Sequence, residues 1–193
     1  MSSMRHTSIF YKLICVVLCA AMLVPLTACG ETRKSQREVY AMDTIMTLTA
    51  YGNNADAGLD AAESIILSMD SALDPELSTS TTYAINHAQG GSTVISGQIA
   101  RMISTAHTVY QQSEGALDLT LYPLVKRWGF VDGKYYVPTA AEISEDLSRL
   151  CFGQIVLTSF PASGSYSVSL PSYGELSFAS VAKGCAADNA IEA

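Results

Sequence analysis

The apolar residues along the chain follow two periods, one typical of strands and one typical of helices. Residues 42–51 are rich in β-branched side chains and predict a strand. Apolar side chains recur at helical spacing over 59–73 and again over 99–110, which predicts two amphipathic helices. A polar loop over 74–83 separates them, and Gly115 is placed to end the second helix in a left-handed conformation.

The second half of the chain continues this alternation. Residues 139–150 predict a third helix, because Thr139 and Glu142 have the spacing of a capping box. A strand pair is predicted at 154–158 and 165–170. A short strand at 175–178 and a last helix from Ser180 onward follow it. This order predicts an α+β fold and not a regular alternation of parallel strands and helices.

The N-terminal segment predicts export. Arg5 and Lys12 precede an apolar run over 13–26 that is short for a membrane span, which is the pattern of a secretory signal. The run closes on Leu-Thr-Ala before Cys29, which resembles a bacterial lipobox and implies cleavage and lipidation at Cys29. We therefore expect a lipid-anchored protein on the extracytoplasmic face of a cell membrane; an uncleaved signal anchor is the alternative. The predicted organisation is a signal peptide, a polar tether and one domain, over residues 1–28, 29–39 and 40–193.

Removal of the signal makes the chain strongly acidic. Without Arg5 and Lys12, 9 of the 11 basic residues remain against 18 acidic residues. Nucleic-acid binding relies on phosphate neutralisation by basic side chains, so the charge argues against it. Cys151 and Cys185 remain beside the predicted lipidated cysteine, and either one disulfide or two unpaired buried thiols fits an exported protein.

Two segments carry candidate chemistry. A helix start near Ser180 places Lys183 in the first turn, where main-chain N–H groups, a cation and small neighbours favour a phosphate site. An ordinary exposed lysine fits that pattern equally well. Asp118 is an isolated carboxylate in an apolar segment, and a local cap of the turn over 120–125 is the favoured interpretation there. Trp128, the single tryptophan, and Phe130 are interpreted as core residues.

Three segments in order resemble one known family. They are Met-Asp-Thr at 42–44, "SEGALDLTLYPLVKRWGF" at 113–130 and "LSFASVAKGCAAD" at 176–188. Together they resemble the ApbE-like FAD:protein FMN transferases, which are exported, often lipid-anchored, Mg-dependent flavin enzymes. The resemblance covers most of 40–193. It implies an ApbE-like, T-fold-like α+β domain that is incomplete at the C-terminus.

The resemblance also implies site residues. Five would bind FAD: Met42, Ala116, Leu117, Asp118 and Lys183. Met42 would pack on the flavin nucleotide, Asp118 would bond a polar group of FAD, and Lys183 would approach the cofactor. Ser180 holds the place whose carbonyl and neighbours help to bind Mg²⁺ in the family. Trp128 and Phe130 would be structural support.

Several residues depart from the family pattern. Glu114 and Leu117 replace the usual Gly and Phe, Ser177 stands where many members have Asp, and Cys185 replaces a common Tyr. The segment near Glu76 lacks an aromatic residue that some members place over the flavin. The chain ends before the family's Asn-x-Gly-Gly, His-x-x-Asp-Pro and Mg-binding Asp/Thr segments, so we expect an N-terminal portion that is inactive alone.

The implied function is Mg-dependent transfer of FMN from FAD to a Ser or Thr hydroxyl of an exported acceptor protein, with release of AMP. An FAD pyrophosphatase that gives FMN and AMP is a close alternative, because water would replace the protein hydroxyl at the same site. The sequence also fits a non-catalytic FAD-binding or solute-binding lipoprotein, or a purely structural lipoprotein.

Overall fold

The computed structural model describes residues 32–193, so the predicted signal sequence and Cys29 lie outside the described residues. This part of the chain combines helices with two antiparallel sheets, as the α+β prediction requires. Its strands are β1 Lys34–Ala41, β2 Thr44–Tyr51, β3 Ser92–Ile95, β4 Val156–Phe160 and β5 Ser165–Ser169. Its α-helices are α1 Ala55–Leu73, α2 Thr81–Asn86, α3 Gly97–Gln112, α4 Tyr122–Arg127, α5 Ala140–Leu147 and α6 Ala179–Glu192. Within residues 32–193, no helix is both long and apolar enough to cross a membrane.

Strands β1 and β2 form a hairpin whose register pairs Ala41 with Thr44. The turn consists of Met42 and Asp43, both with positive φ (52° and 55°), as a two-residue type I′ turn requires. The strand predicted over 42–51 therefore begins two residues later than expected.

The predicted polar tether over 29–39 differs from the structure, because β1 begins at Lys34. Its outward residues are polar and exposed, namely Lys34, Gln36 and Glu38, whereas Val39 is buried. A half-buried strand with a polar outer face resembles a linker in composition. The pairing with β2 is what reveals it as a strand.

Helix α1 packs on the hairpin on one side and on α6 on another. The predicted helical spacing is confirmed, since its buried positions follow one face: Ala55, Leu59, Ala62, Ile66, Met69 and Leu73. Arg37 on β1 lies 2.6 Å from carboxylate oxygens of both Asp60 and Glu63, which fixes the hairpin against the helix. These contacts hold the Met42 turn at a defined place beside α1.

The second sheet has the strand order β3-β5-β4 and is antiparallel throughout. The predicted strand pair is confirmed as β4 and β5, although β4 begins and ends two residues later than predicted. Strand β3 was not predicted. Helix α2 begins in the last three residues of the predicted polar loop and continues beyond it to Asn86, and Ser80 caps it by accepting from the N–H of Tyr83 at 2.9 Å. The capping box of Thr139 and Glu142 is confirmed at the start of α5.

The short strand predicted over 175–178 is wrong. Leu176 and Phe178 are fully buried, which accounts for the apolar pattern. However, the main chain of Leu176 bonds to the side chain of Asn86 and not to a neighbouring strand. The segment has the burial and the composition of a strand, but it pairs with no neighbouring strand. The strand prediction failed for this reason.

The aromatic residues that follow α4 are not core. Phe130 is 65% exposed, and Trp128 is half-buried with its ring stacked on that of Phe130 at 6.4 Å between centroids. The expectation that both pack in the core is therefore wrong, because the turn at Gly129 carries Phe130 outward. Gly129 has a φ of 77°, and an added Cβ would lie 2.2 Å from the carbonyl oxygen of Lys134.

Candidate functional site

The end of α3 turns the chain into the Asp118 loop, which we define as residues 113–120. Gly115 has a φ of 88° and its N–H donates to the carbonyl of Tyr110 at 2.8 Å. Gly115 is left-handed as predicted, but Glu114, directly after the cap residue Ser113, is left-handed as well, with a φ of 54°. Beyond it, Ala116 is exposed and Leu117 is half-buried, with its side chain packed against the core. Only the third of these candidate FAD residues, Asp118, is buried.

Asp118 is 8% exposed and caps a single 3-10 turn over Leu119–Leu121. Its Oδ1 accepts hydrogen bonds from the main-chain N–H of Thr120 at 2.7 Å and from the Thr120 hydroxyl at 2.5 Å. The predicted local cap is thus present. Both bonds use the same oxygen, so the cap leaves Oδ2 available to a ligand.

Thr120 connects this loop to the core. Its Oγ1 accepts from the main-chain N–H of Cys151 at 2.9 Å while it donates to Asp118. Cys151 is 2% exposed, and burial raises the pKa of its thiol. Cys151 and Cys185 are both free thiols, so the structure favours the unpaired interpretation over a disulfide.

The segment before α6 is joined directly to the Asp118 loop. The main-chain N–H of Ser177 donates to the carbonyl of Leu119 at 3.0 Å. One residue earlier, the Asn86 amide brackets Leu176: its Nδ2 donates to the Leu176 carbonyl and its Oδ1 accepts from the Leu176 N–H, each at 2.9 Å. Sequence reasoning missed Asn86, since nothing local signals a partner 90 residues away.

Lys183 lies in the second turn of α6 and not in the first. The helix begins at Ala179, after the buried Phe178, whose carbonyl accepts from Val181 and Ala182. The main-chain N–H of Lys183 is therefore inside the helical ladder. Its exposed ammonium group is what remains to meet a phosphate, and within the described residues it makes no ion pair.

Met42 occupies the tip of the β1–β2 hairpin and is half-buried against the core. Its main-chain N–H donates to Oδ1 of Asp70 on α1 at 2.7 Å. Asp70 is a second functional candidate that sequence reasoning missed. It lies on α1, and the sequence of this helix was interpreted from its apolar residues.

A cluster of polar side chains connects the chain just after α1 to helix α4 and to the segment before α6. The buried phenol of Tyr122 donates to the carboxylate of Glu76, and burial raises the pKa of that phenol far above its usual range. Lys126 pairs with Glu175 and lies 5.0 Å from the centroid of the Tyr122 ring. The end of α1, helix α4 and the segment before α6 are thereby tied together.

The described residues do not supply a magnesium site by themselves. No group of three His, Cys, Asp or Glu side chains in this part of the chain lies close enough to hold a metal ion. Ser180 is exposed in the first turn of α6. Mg²⁺ requires several oxygen ligands, usually with carboxylates among them, so Ser180 alone does not fit it.

A cavity of about 440 Å³ lies apart from these residues, between α1 and the end of α6. Its lining consists of Ser64, Ile65, Ser68, Met69, Gln98, Asn189, Glu192 and Ala193. The predicted FAD residues are not part of this wall. Among the predicted site segments, the structure brings together the Asp118 loop and the segment that leads into α6.

These two segments, together with the Met42 turn, fall inside one match to a protein family. The sequence model of the ApbE family matches residues 42–193. The chain belongs to the ApbE family. No protein of curated function matches it.

Solved ApbE structures share the fold of this ApbE chain. The ApbE protein of Thermotoga maritima superimposes with a TM-score of 0.74 at 18% identity, covering 83% of this chain and 52% of that one. The apo flavinyl transferase ApbE of Pseudomonas stutzeri gives 0.72 at 20%, covering 86% and 53%. The flavin transferase ApbE of Vibrio cholerae gives 0.71 at 17%, covering 83% and 53%.

The chain thus spans about half the length of the solved ApbE structures that it matches. The predicted ApbE-like α+β domain is confirmed over that portion. At these identities the likeness establishes the fold. The chemistry of the site in this ApbE chain therefore depends on its own residues.

Proposed function

We propose that the protein transfers FMN from FAD to a Ser or Thr hydroxyl of an exported acceptor protein and releases AMP. Membership of the ApbE family, whose solved members include flavin transferases, supports a flavin-transferase role. The single observation that carries the proposal is the bond from Ser177 to Leu119. That bond joins the loop of Asp118 to the segment that leads into the helix of Lys183, and the family resemblance implies that this loop and this helix bind FAD.

In this proposal the chain's own residues bind and orient FAD. Met42 and Leu117, both half-buried on the core, contact the flavin nucleotide together with Ala116. Asp118 keeps Oδ1 for its cap and offers Oδ2 to a polar group of FAD. Lys183 offers its exposed ammonium group to the pyrophosphate.

The reaction balances as a substitution at phosphorus. The acceptor hydroxyl oxygen forms a bond to the phosphorus of the FMN half, and the bond from that phosphorus to the bridging oxygen breaks. AMP leaves with that oxygen, and the hydroxyl proton is lost to a base. Because the transition state spreads negative charge over phosphate oxygens, a cation such as Lys183 at the pyrophosphate lowers the barrier.

The proposal includes a requirement for Mg²⁺, with Ser180 contributing to its site. In this proposal the remaining ligands come from outside residues 32–193, a range in which no three His, Cys, Asp or Glu side chains lie close enough to hold a metal ion. We therefore expect this chain alone to release no AMP from FAD. Clear Mg-dependent AMP release by residues 29–193 would contradict that expectation.

We also propose lipid anchoring at Cys29 on the extracytoplasmic face of the membrane. Strand β1 begins close to that residue, and just before the strand the carbonyl of Arg33 accepts from the N–H of Gly52 at 2.8 Å. Five residue steps lead from Cys29 to Lys34, a span of at most about 18 Å. The intact mass of the wild type should show a chain that begins at Cys29 and carries acyl groups, and Cys29→Ser should lack the acyl mass; a wild-type protein without acyl mass would refute lipidation as the anchor.

The test of the function uses the product of the full reading frame, FAD, Mg²⁺ and a flavin-accepting protein from the same envelope. Covalent flavin on the acceptor, with AMP in equal amount, supports the transferase. FMN and AMP without labelled acceptor indicate a pyrophosphatase instead. FAD binding without turnover indicates a binding lipoprotein, and no FAD binding at all refutes every flavin-based interpretation of the site.

A further inference from the structure

The turn that carries Met42 adopts an unfavourable backbone conformation. Met42 and Asp43 both have positive φ, at 52° and 55°, and neither is glycine. The left-handed region is tolerated by Asn and Asp but is disfavoured for a residue such as Met, because the Cβ approaches the main-chain carbonyl. Residues held in such conformations persist only where the surroundings over-determine them, and they cluster at functional sites.

Asp70 is the side chain that holds this turn. Its Oδ1 accepts from the main-chain N–H of Met42 at 2.7 Å. A type I′ turn directs that N–H away from the hairpin ladder, so it needs a partner elsewhere. Asp70 supplies one from α1, 28 residues further along the chain.

Asp70 lies on a helix that also contacts the hairpin elsewhere. It follows the buried Met69 in α1, and the Glu63 and Asp60 side chains of the same helix grip Arg37 on β1. The hairpin and the helix are therefore joined at two levels, at Arg37 and at the turn. The second of these contacts links the main chain of Met42 to α1.

We propose that Asp70 is a positioning residue that fixes Met42 for contact with the flavin nucleotide. This inference rests on the proposed function, in which Met42 packs on FAD. Asp70 acts through Met42 and does not touch FAD itself. Its loss frees the turn to relax toward other backbone conformations, so that the Met42 side chain leaves its place in the site.

The matched variants are Asp70→Ala, which removes the acceptor, and Asp70→Asn, which keeps an oxygen acceptor without the charge. Asp56→Ala is the control, because Asp56 also lies on α1 and bonds Arg33 and Ser35 of the hairpin region, but at its other end. In the protein from the full reading frame, we expect Asp70→Ala to weaken FAD binding about tenfold, and Asp70→Asn and Asp56→Ala by less than about threefold.

A double-mutant cycle with Met42→Ala separates positioning from general destabilisation. If Asp70 acts through the Met42 side chain, Asp70→Ala has no further effect on FAD affinity in the Met42→Ala background. Hydrogen exchange gives a readout without FAD. The Met42 amide should be protected in the wild type and lose protection in Asp70→Ala, while the Val39 amide within the ladder stays protected.

The outcomes are distinguishable. If the wild-type protein binds no FAD, the proposed function fails, and amide exchange still decides whether Asp70 holds the turn. If the wild type binds FAD and Asp70→Ala binds it equally tightly, Asp70 is not a positioning residue and the inference is overturned. Additive effects of the two substitutions in the cycle overturn it as well.

Discussion

The main-chain N–H of Ser177 bonds to the carbonyl of Leu119 at 3.0 Å and joins two segments that are far apart in sequence. Leu119 follows Asp118 in the loop after α3, and Ser177 precedes α6 and Lys183. The candidate site therefore does not lie on one element. It is formed where the loop after α3 meets the segment before α6. Asn86 holds the second of these segments through its two bonds to the main chain of Leu176.

Asp118 should prove to have two separable roles. Asp118→Ala removes the acceptor for the N–H and hydroxyl of Thr120, so we expect a loss of about 1–2 kcal/mol in the free energy of unfolding. Asp118→Asn retains Oδ1 and should stay within about 0.5 kcal/mol of the wild type. Urea unfolding measures both. FAD titration should show weakened binding in both variants; full binding by Asp118→Asn would argue against a role for the carboxylate.

Asn86 should be among the costliest polar residues to remove. Asn86→Ala leaves the N–H and carbonyl of the buried Leu176 without partners, and we expect a loss of about 2–3 kcal/mol in stability. Asn53→Ala in an exposed turn is the control and should change stability by less than about 0.5 kcal/mol. Equal unfolding midpoints for the two variants would show that the Asn86 bracket contributes little.

The Arg127–Asp146 pair should make stability depend on acidity. Its Nε–Oδ2 and Nη2–Oδ1 distances are 2.5 and 2.8 Å, and these hydrogen bonds lower the pKa of the buried Asp146 carboxyl. Because the folded-state pKa is the lower one, the contribution is present above the unfolded value near 3.8 and is lost as pH falls through the folded value.

We therefore expect the wild type to lose stability below about pH 4 more steeply than Asp146→Asn does. Thermal melts of both proteins between acid and neutral pH measure this difference. At neutral pH Asp146→Asn should be less stable by roughly 1–3 kcal/mol, because the guanidinium loses its charged partner. Parallel curves for the two proteins would contradict the assignment.

The two thiols should react slowly and separately. Burial raises the pKa of both Cys151 and Cys185, so little thiolate is present at neutral pH. Cys185 is half-buried and Cys151 is buried, so an alkylating reagent should modify Cys185 first and Cys151 only on unfolding. Mass spectrometry of partly labelled protein checks the order. Disulfide-linked peptides in protein purified without a reducing agent would refute the free-thiol assignment.

Local patterns predicted the parts of this fold that local physics decides. These parts are the apolar faces of α1 and α3, the Thr139 capping box and the turn at Gly115. Each of them is decided by residues that lie close together in the sequence. The Asp118 cap was likewise predictable, because its partner, Thr120, is two residues away.

The remaining features depend on partners distant in sequence. Strand β3 has four residues and is recognisable only beside β5. Asn86 and Asp70 make their bonds 90 and 28 residues away, and nothing in their own neighbourhood marks them. Lys183 lies in the second turn and not the first, because the burial of Phe178 starts α6 earlier than its small residues indicated.

The central claim is that the Asp118 loop and the Lys183 helix form a site for transfer of FMN. The most direct measurement is the intact mass of an acceptor protein after incubation with FAD, Mg²⁺ and the product of the full reading frame, wild type or Lys183→Ala. We predict an acceptor that gains the mass of one FMN with the wild type and gains it much more slowly with Lys183→Ala. An unmodified acceptor in the presence of folded, FAD-binding wild-type protein would contradict the account.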